Sequence, residues 1–144
     1  MSPPLPPTKP LSETVFVTGQ IQPADVAAFA DCGVTIIVNN RPDGEEAGQP
    51  ASAEIEAAAR AAGIDYAHIP IAETFAPEKV VAMGDALANA KGNAVIFCKS
   101  GTRSTYIWAL ARAWQGADVD EMVINARQAG YSLLPILPWL KGER

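Results

Sequence analysis

The chain has one histidine and two cysteines among its 144 residues. These are too few for a structural zinc site of four side chains, so no metal and no cofactor is expected. Cys32 and Cys98 lie far apart and form no disulfide-dense framework, which suits a reducing, cytoplasmic compartment. No basic run exists, and 11 basic against 16 acidic residues leave a net charge of −5. An extended nucleic-acid surface is thereby excluded, whereas one small basic pocket is not. Long hydrophobic runs are missing too. Each is broken by charge or proline within about a dozen residues, short of the roughly 20 needed to cross a bilayer, so no membrane partner is expected. The opening MSPPLPPTKP carries no apolar stretch of the secretory kind.

What is present is the balance of a folded domain, with 49% hydrophobic and 19% charged residues. Residues 1–12 hold five prolines and read as an extended arm. Residues 13–144 contain no repeat and no linker and read as a single domain with one core. Short β-branched runs alternate with alanine-rich stretches. Strands are predicted at 14–18, 34–38, 65–69 and 93–97. Helices are predicted from Gln22-Pro23 to Gly33, over 51–62, from Pro77, around Tyr106 to Trp114, and from Val119 to before Gly130. Asp118 and Glu121 have the spacing of a capping box. The apolar tail from Leu133 to Leu140 contains Pro135 and Pro138, so at most one short helical turn is expected there. This alternation predicts an α/β fold with a largely parallel central sheet of about four to five strands flanked by helices. Ligands of such sheets bind beyond the carboxyl ends of the strands, where loops 39–44 and 98–103 emerge.

The second loop, Cys98-Lys99-Ser100-Gly101-Thr102-Arg103-Ser104, joins a strand to a helix. The first amides of a helix have no partners within it and carry the positive end of its dipole. A turn of small residues there curls its amides around an anion, and Gly101 permits the backbone angles required. Arg103 adds a fork of donors. A thiolate at the mouth of the cradle feels the same field as the anion, so Cys98 is expected to be a nucleophile. Ser104 is a candidate donor to the sulfur, Lys99 adds positive potential, and Ser100 and Thr102 complete the anion-binding set. The plain alternative is a buried strand-end cysteine beside a surface arginine.

The segment resembles two families of cysteine enzymes. Protein tyrosine and dual-specificity phosphatases place Cys and Arg on one anion-binding loop with five residues between them. Rhodanese-type sulfurtransferases often have four, as in C-R-S-G-x-R-S, and C-K-S-G-T-R-S is similar to that pattern. The remainder resembles the phosphatase-like domain of bacterial beta-lactamase-hydrolase-like proteins, through Val17-Thr18-Gly19-Gln20, Val38 to Gly44 and His68-Ile69-Pro70-Ile71, over roughly residues 14–115. That resemblance implies a three-layer architecture like that of the cysteine phosphatases.

Three departures from the phosphatases lean towards sulfur transfer. The loop is one residue shorter, stretch 69–78 holds no Asp to act as general acid, and Phe97 stands where phosphatases usually carry His. The expected function is therefore a cysteine-dependent sulfurtransferase. A small anionic sulfur substrate, thiosulfate or a persulfide, would load Cys98, and a thiol such as glutathione or a protein thiol would accept the sulfur. The alternative is a phosphatase acting on a phosphate ester through phosphoryl-Cys98, with Glu73 or Asp43 supplying the proton. A third reading is a non-catalytic anion-binding module.

Asn40, Arg41 and Asp43 follow a strand at the ligand end. Arg41 is a candidate for drawing in the anion, and Asn40 and Asp43 for orienting it, although Asn40 to Gly44 equally reads as an ordinary turn. His68 reads as a packed support for the pocket floor. Cys32, preceding its strand, belongs at the opposite end from Cys98 and reads as a passive buried thiol, about 15 Å or more away. Tyr106, Trp108 and Trp114 read as core of one helix. Trp139 is assigned to cover of the sheet edge or to a homodimer contact.

Overall fold

The computed structural model describes residues 7–142. Its strands are β1 (Lys9–Pro10), β2 (Val15–Thr18), β3 (Val34–Asn39), β4 (Asp65–His68) and β5 (Asn93–Phe97). Its helices are α1 (Val26–Asp31), α2 (Ser52–Ala61), α3 (Pro77–Ala88), α4 (Thr102–Trp114), α5 (Val119–Gln128) and α6 (Leu137–Leu140), with 3-10 turns at Pro23–Asp25 and Leu134–Ile136. One sheet runs in the order β1-β2-β5-β3-β4. All its pairings are parallel except β1 with β2. The expected α/β fold is thus present.

The central strand β5 shows why the sheet carries helices on both faces. Along Asn93–Phe97 the side chains alternate, so Ala94 and Ile96 face one layer while Val95 and Phe97 face the other. The first layer gathers Val17, Val38, Met83, Ile107, Trp108 and Met122. The second gathers Ile21, Phe29, Ile37, Ile55 and Ile64. Each such side chain, fully buried, stabilises by roughly 1.5–3 kcal/mol relative to exposure.

The register places the site. Thr18, Phe97 and Asn39 are level across β2, β5 and β3, so three strands end on one line. Their following loops meet there. Asn40 N–H donates to Phe97 O at 2.8 Å, and Gln20 N–H donates to Lys99 O at 3.2 Å. Gly19 allows this approach, because a Cβ on it would stand 2.8 Å from Lys99 O.

Several details differ from expectation. Of the arm predicted over 1–12, residues 1–6 lie outside the described residues. Lys9–Pro10 is extended but paired with β2, and Leu11 is fully buried. A two-residue strand has no periodicity to read, and Pro10 is tolerated because β1 is an edge. Cys32 is exposed rather than buried, because it caps α1 at the surface. It does lie at the far end of the sheet, where Asn93 Nδ2 donates to Cys32 O at 3.2 Å. Trp108 is core, but Trp114 is 67% exposed, since it ends α4 beyond the packed layer. The tail winds a 3-10 turn straight into α6, with Pro138 in the first helical turn, where no amide partner is needed. Trp139 is 60% exposed and does not cover the sheet edge, because α6 turns Leu140 inward in its place.

Candidate active site

Cys98 is the first residue beyond β5 and is buried. The chain turns through Lys99 and Ser100 and enters α4 at Gly101, whose φ of 95° is left-handed. This conformation aims the Gly101 N–H back at Cys98 Sγ, 3.1 Å away. The Thr105 hydroxyl and amide both donate to Gly101 O, at 2.8 and 2.9 Å, and anchor the turn to the helix. A sulfur, an inward amide and the start of a thirteen-residue helix therefore converge.

Arg103 lies in the first turn of α4. Its guanidinium donates to both Glu45 oxygens, at 2.8 and 2.9 Å, and to Ile71 O at 2.7 Å. Hydrogen bonding to Glu45 raises its pKa against the effect of burial, and the nearby Cys98 sulfur acts in the same direction. Glu45 is shared, because Arg41 Nε also donates to it at 2.8 Å. Arg41 further donates to Gln20 Oε1 at 3.0 Å and to Glu46 Oε1 at 2.9 Å. Glu46 also faces Lys99 Nζ at 3.6 Å. The result is a chain of alternating charge, Lys99–Glu46–Arg41–Glu45–Arg103, over the mouth of the loop.

The predicted residues divide into two groups. Cys98, Gly101 and Arg103 come together, with Lys99 at the rim. Ser100 and Thr102 hydroxyls lie 3.2 Å apart, turned towards each other on the exposed side. The others take structural work. Arg41 is 1% exposed and each of its guanidinium nitrogens is bonded, to Glu45, Gln20 or Glu46, so it braces the loop. Ser104 does not serve the sulfur, since its hydroxyl donates to Asn40 Oδ1 at 2.7 Å. Asn40, fully buried, donates its amide to Ile69 O at 3.0 Å. Asp43 accepts from Ser52 N at 2.8 Å and so caps α2. Glu73 is exposed on the loop two residues after Ile71, whose carbonyl holds Arg103. His68 is exposed, with Nε2 2.9 Å from Arg41 O, and supports the backbone there.

Glu45, Gln20 and Tyr131 escaped the sequence reading. Tyr131 donates its hydroxyl to Ser100 O at 2.9 Å. For Glu45 one signal existed, the adjacent Glu45-Glu46 pair in a loop leaving the ligand end of the sheet.

Glu45 gives a pH prediction. The Arg103 hydrogen bonds, with help from Arg41, outweigh partial burial and pull its pKa from 4.5 to about 2. A depressed carboxylate stabilises the fold above its unfolded value, and that stability is lost as pH falls through the folded value. Glu45→Gln is therefore expected to melt below wild type at neutral pH. The gap should narrow as pH falls from 4.5 to about 2. Thermal melts across that range check it, and equal midpoints at neutral pH would show that the ion pair contributes no stability.

The family described as "Beta-lactamase hydrolase-like protein, phosphatase-like domain" matches residues 8–115. The chain belongs to this family. It is 35% identical over 135 residues to the beta-lactamase hydrolase-like protein of Xylella fastidiosa, covering 92% of this chain and 31% of the relative. It thus spans about a third of that relative's length. A crystal structure from Neisseria meningitidis, described as a candidate phosphatase, is 30% identical with a TM-score of 0.80, covering 94% of this chain and 97% of the other. The fold is also that of Tk-PTP, at a TM-score of 0.69, 18% identity and 94% coverage of both chains.

These matches overturn the sulfurtransferase expectation, and with it the sulfur substrate and the thiol acceptor. A phosphatase-like family and fold house this loop. Thr102 is already helical, so Arg103 sits in the first turn of α4, and Glu45 sets its direction. Loop length was therefore a poor guide to the chemistry. Among the described residues, no helix is long and apolar enough to cross a membrane.

Proposed function

We propose that the chain hydrolyses phosphate monoesters through a phosphoryl-Cys98 intermediate. One observation carries the reading, the Gly101 N–H held 3.1 Å from Cys98 Sγ at the start of α4, with Arg103 in the first turn of the same helix. In the first step the Cys98 thiolate attacks phosphorus. The S–P bond forms as the ester P–O bond breaks, and the leaving oxygen takes a proton. Loop amides and Arg103 receive the phosphoryl oxygens, where they stabilise charge as it spreads in the transition state. In the second step water cleaves the S–P bond and releases phosphate.

Of the acidic side chains around the loop, three are committed elsewhere. Asp43 caps α2, Glu45 is held ionised by Arg103, and Glu46 is pulled down by Arg41 and Lys99. Glu73 is the remaining candidate for the leaving-group proton. A positioned acid contributes about a hundredfold or more when the leaving group is poor. Glu73→Gln is expected to lose about that factor on an alkyl phosphate and only a few-fold on p-nitrophenyl phosphate, whose leaving group needs little help. Equal losses on both would remove Glu73 from this role. The nucleophile itself is tested by acid-quenching wild-type turnover of p-nitrophenyl phosphate and mapping peptides. A phosphoryl adduct on Cys98 supports the proposal. Absence of both turnover and adduct overturns it.

A further inference from the structure

We propose that Tyr131 is a positioning residue for the nucleophile, acting through the Ser100–Gly101 peptide; this rests on the reading of Cys98 as the attacking group. The carbonyl of Ser100 and the N–H of Gly101 belong to one peptide unit and point in opposite directions. Tyr131 Oη donates to the carbonyl end at 2.9 Å. The other end donates to Cys98 Sγ at 3.1 Å. The hydroxyl therefore pins the plane that presents a donor to the sulfur.

A clamp is needed because of Gly101. Glycine adopts positive and negative φ with similar ease, so the peptide before it can flip at little intrinsic cost. In the flipped state the Ser100 carbonyl would face the sulfur and repel a thiolate, and the donor would be lost. The Tyr131 ring adds a second constraint, because a Cβ on Gly101 would collide with its hydroxyl and ring carbons. Glycine and tyrosine thus fit each other. One frees the peptide to adopt the required conformation and the other holds it there.

Tyr131 is itself rigidly mounted. Helix α5 is followed by Gly130 at φ 96°, Gly130 N–H donating to Arg127 O at 2.9 Å and Tyr131 N–H to Ala126 O at 2.8 Å. These are the two bonds of a Schellman motif, which fixes the first residues beyond the helix. Burial, and then the nearby charge of Cys98, push the Tyr131 pKa up, so the hydroxyl keeps its proton as a donor. Helix α5 and Tyr131 lie beyond the residues matched by the family, 8–115.

The test is Tyr131→Phe, which keeps the ring and removes only the hydroxyl. The readouts are iodoacetamide alkylation of Cys98 followed by peptide mapping, and turnover of p-nitrophenyl phosphate. A lost neutral hydrogen bond should slow alkylation at about pH 7 by roughly threefold to tenfold. The rates of the two proteins should converge at about pH 10, above the ordinary range of a cysteine thiol. kcat/KM should fall by a similar factor, with the thermal midpoint little changed. A merely structural tyrosine would shift the midpoint and leave the pH dependence of alkylation alone. A reactive wild-type thiol and an equally reactive Tyr131→Phe thiol at neutral pH would overturn the role of Tyr131 alone. A wild-type thiol no more reactive than free cysteine would overturn the nucleophile reading and this role with it.

Discussion

Cys98→Ser is expected to abolish turnover of p-nitrophenyl phosphate, by more than about a thousandfold in kcat, while the protein still folds and still binds inorganic phosphate. The argument is electrostatic. On the proposed reading, an anion at position 98 would meet one amide at 3.1 Å, the start of α4 and a guanidinium held by Glu45. A serine hydroxyl begins so far from ionisation that this field yields almost no alkoxide at neutral pH, whereas a thiol needs only a modest bias. The cradle itself is unchanged, because the Gly101 N–H finds an oxygen where the sulfur was. Phosphate affinity measured by calorimetry should therefore stay within a few-fold of wild type, and the phosphoryl adduct should vanish from peptide 98. Retention of more than a tenth of the activity would place the chemistry elsewhere.

Arg41→Ala should have the largest effect on stability, about 2–4 kcal/mol in urea denaturation, with activity reduced as well. Two contributions add, and one drops out. Arg41 is among the largest fully buried side chains, so alanine leaves a void in packed surroundings. Its charge-assisted bonds to Glu45 and Glu46 and its bond to Gln20 disappear. The heavy penalty of stranding a buried charge does not arise. Glu45 keeps Arg103, and the Glu46 side chain is 51% exposed, so both carboxylates stay paired or hydrated. The activity loss follows from Glu45, which Arg41 and Arg103 hold from two sides. With one side gone, the guanidinium of Arg103 is less well directed. Arg41→Lys should recover little, because an ammonium cannot serve three acceptors spread around a planar fork. An Arg41→Ala protein as stable as wild type would show that loop 41–49 needs no bracket.

Much of the molecule could be read from local pattern. The strand at 93–97 and the small-residue turn with Gly101 before a helical run marked the Cys98 loop. The same logic located β2, β3 and the N-cap of α5, where Asp118 accepts from Glu121 N at 3.1 Å. Each of these signals lies within a few residues of itself, and backbone sterics and side-chain period act at that range. The reading went astray where partners are distant. Glu45 and Arg103 are separated by 58 positions, and Ser104 and Asn40 by 64. No periodicity links such residues, so Ser104 was assigned to the sulfur and Arg41 to a ligand. The spacing of Cys98 and Arg103 was legible but misleading, because it counts residues and not the path of the helix that carries them.

The chain order alone was enough to require a parallel sheet with a small-residue turn at its carboxyl edge, because β-branched runs, helix starts and glycine are short-range instructions. Which charges face which, that Arg41 is sealed under two carboxylates, and that Tyr131 reaches Ser100 were settled only when β2, β3 and β5 came into register and α5 packed against α4. Those pairings depend on how distant segments exclude water from one another, and no neighbouring residue encodes that.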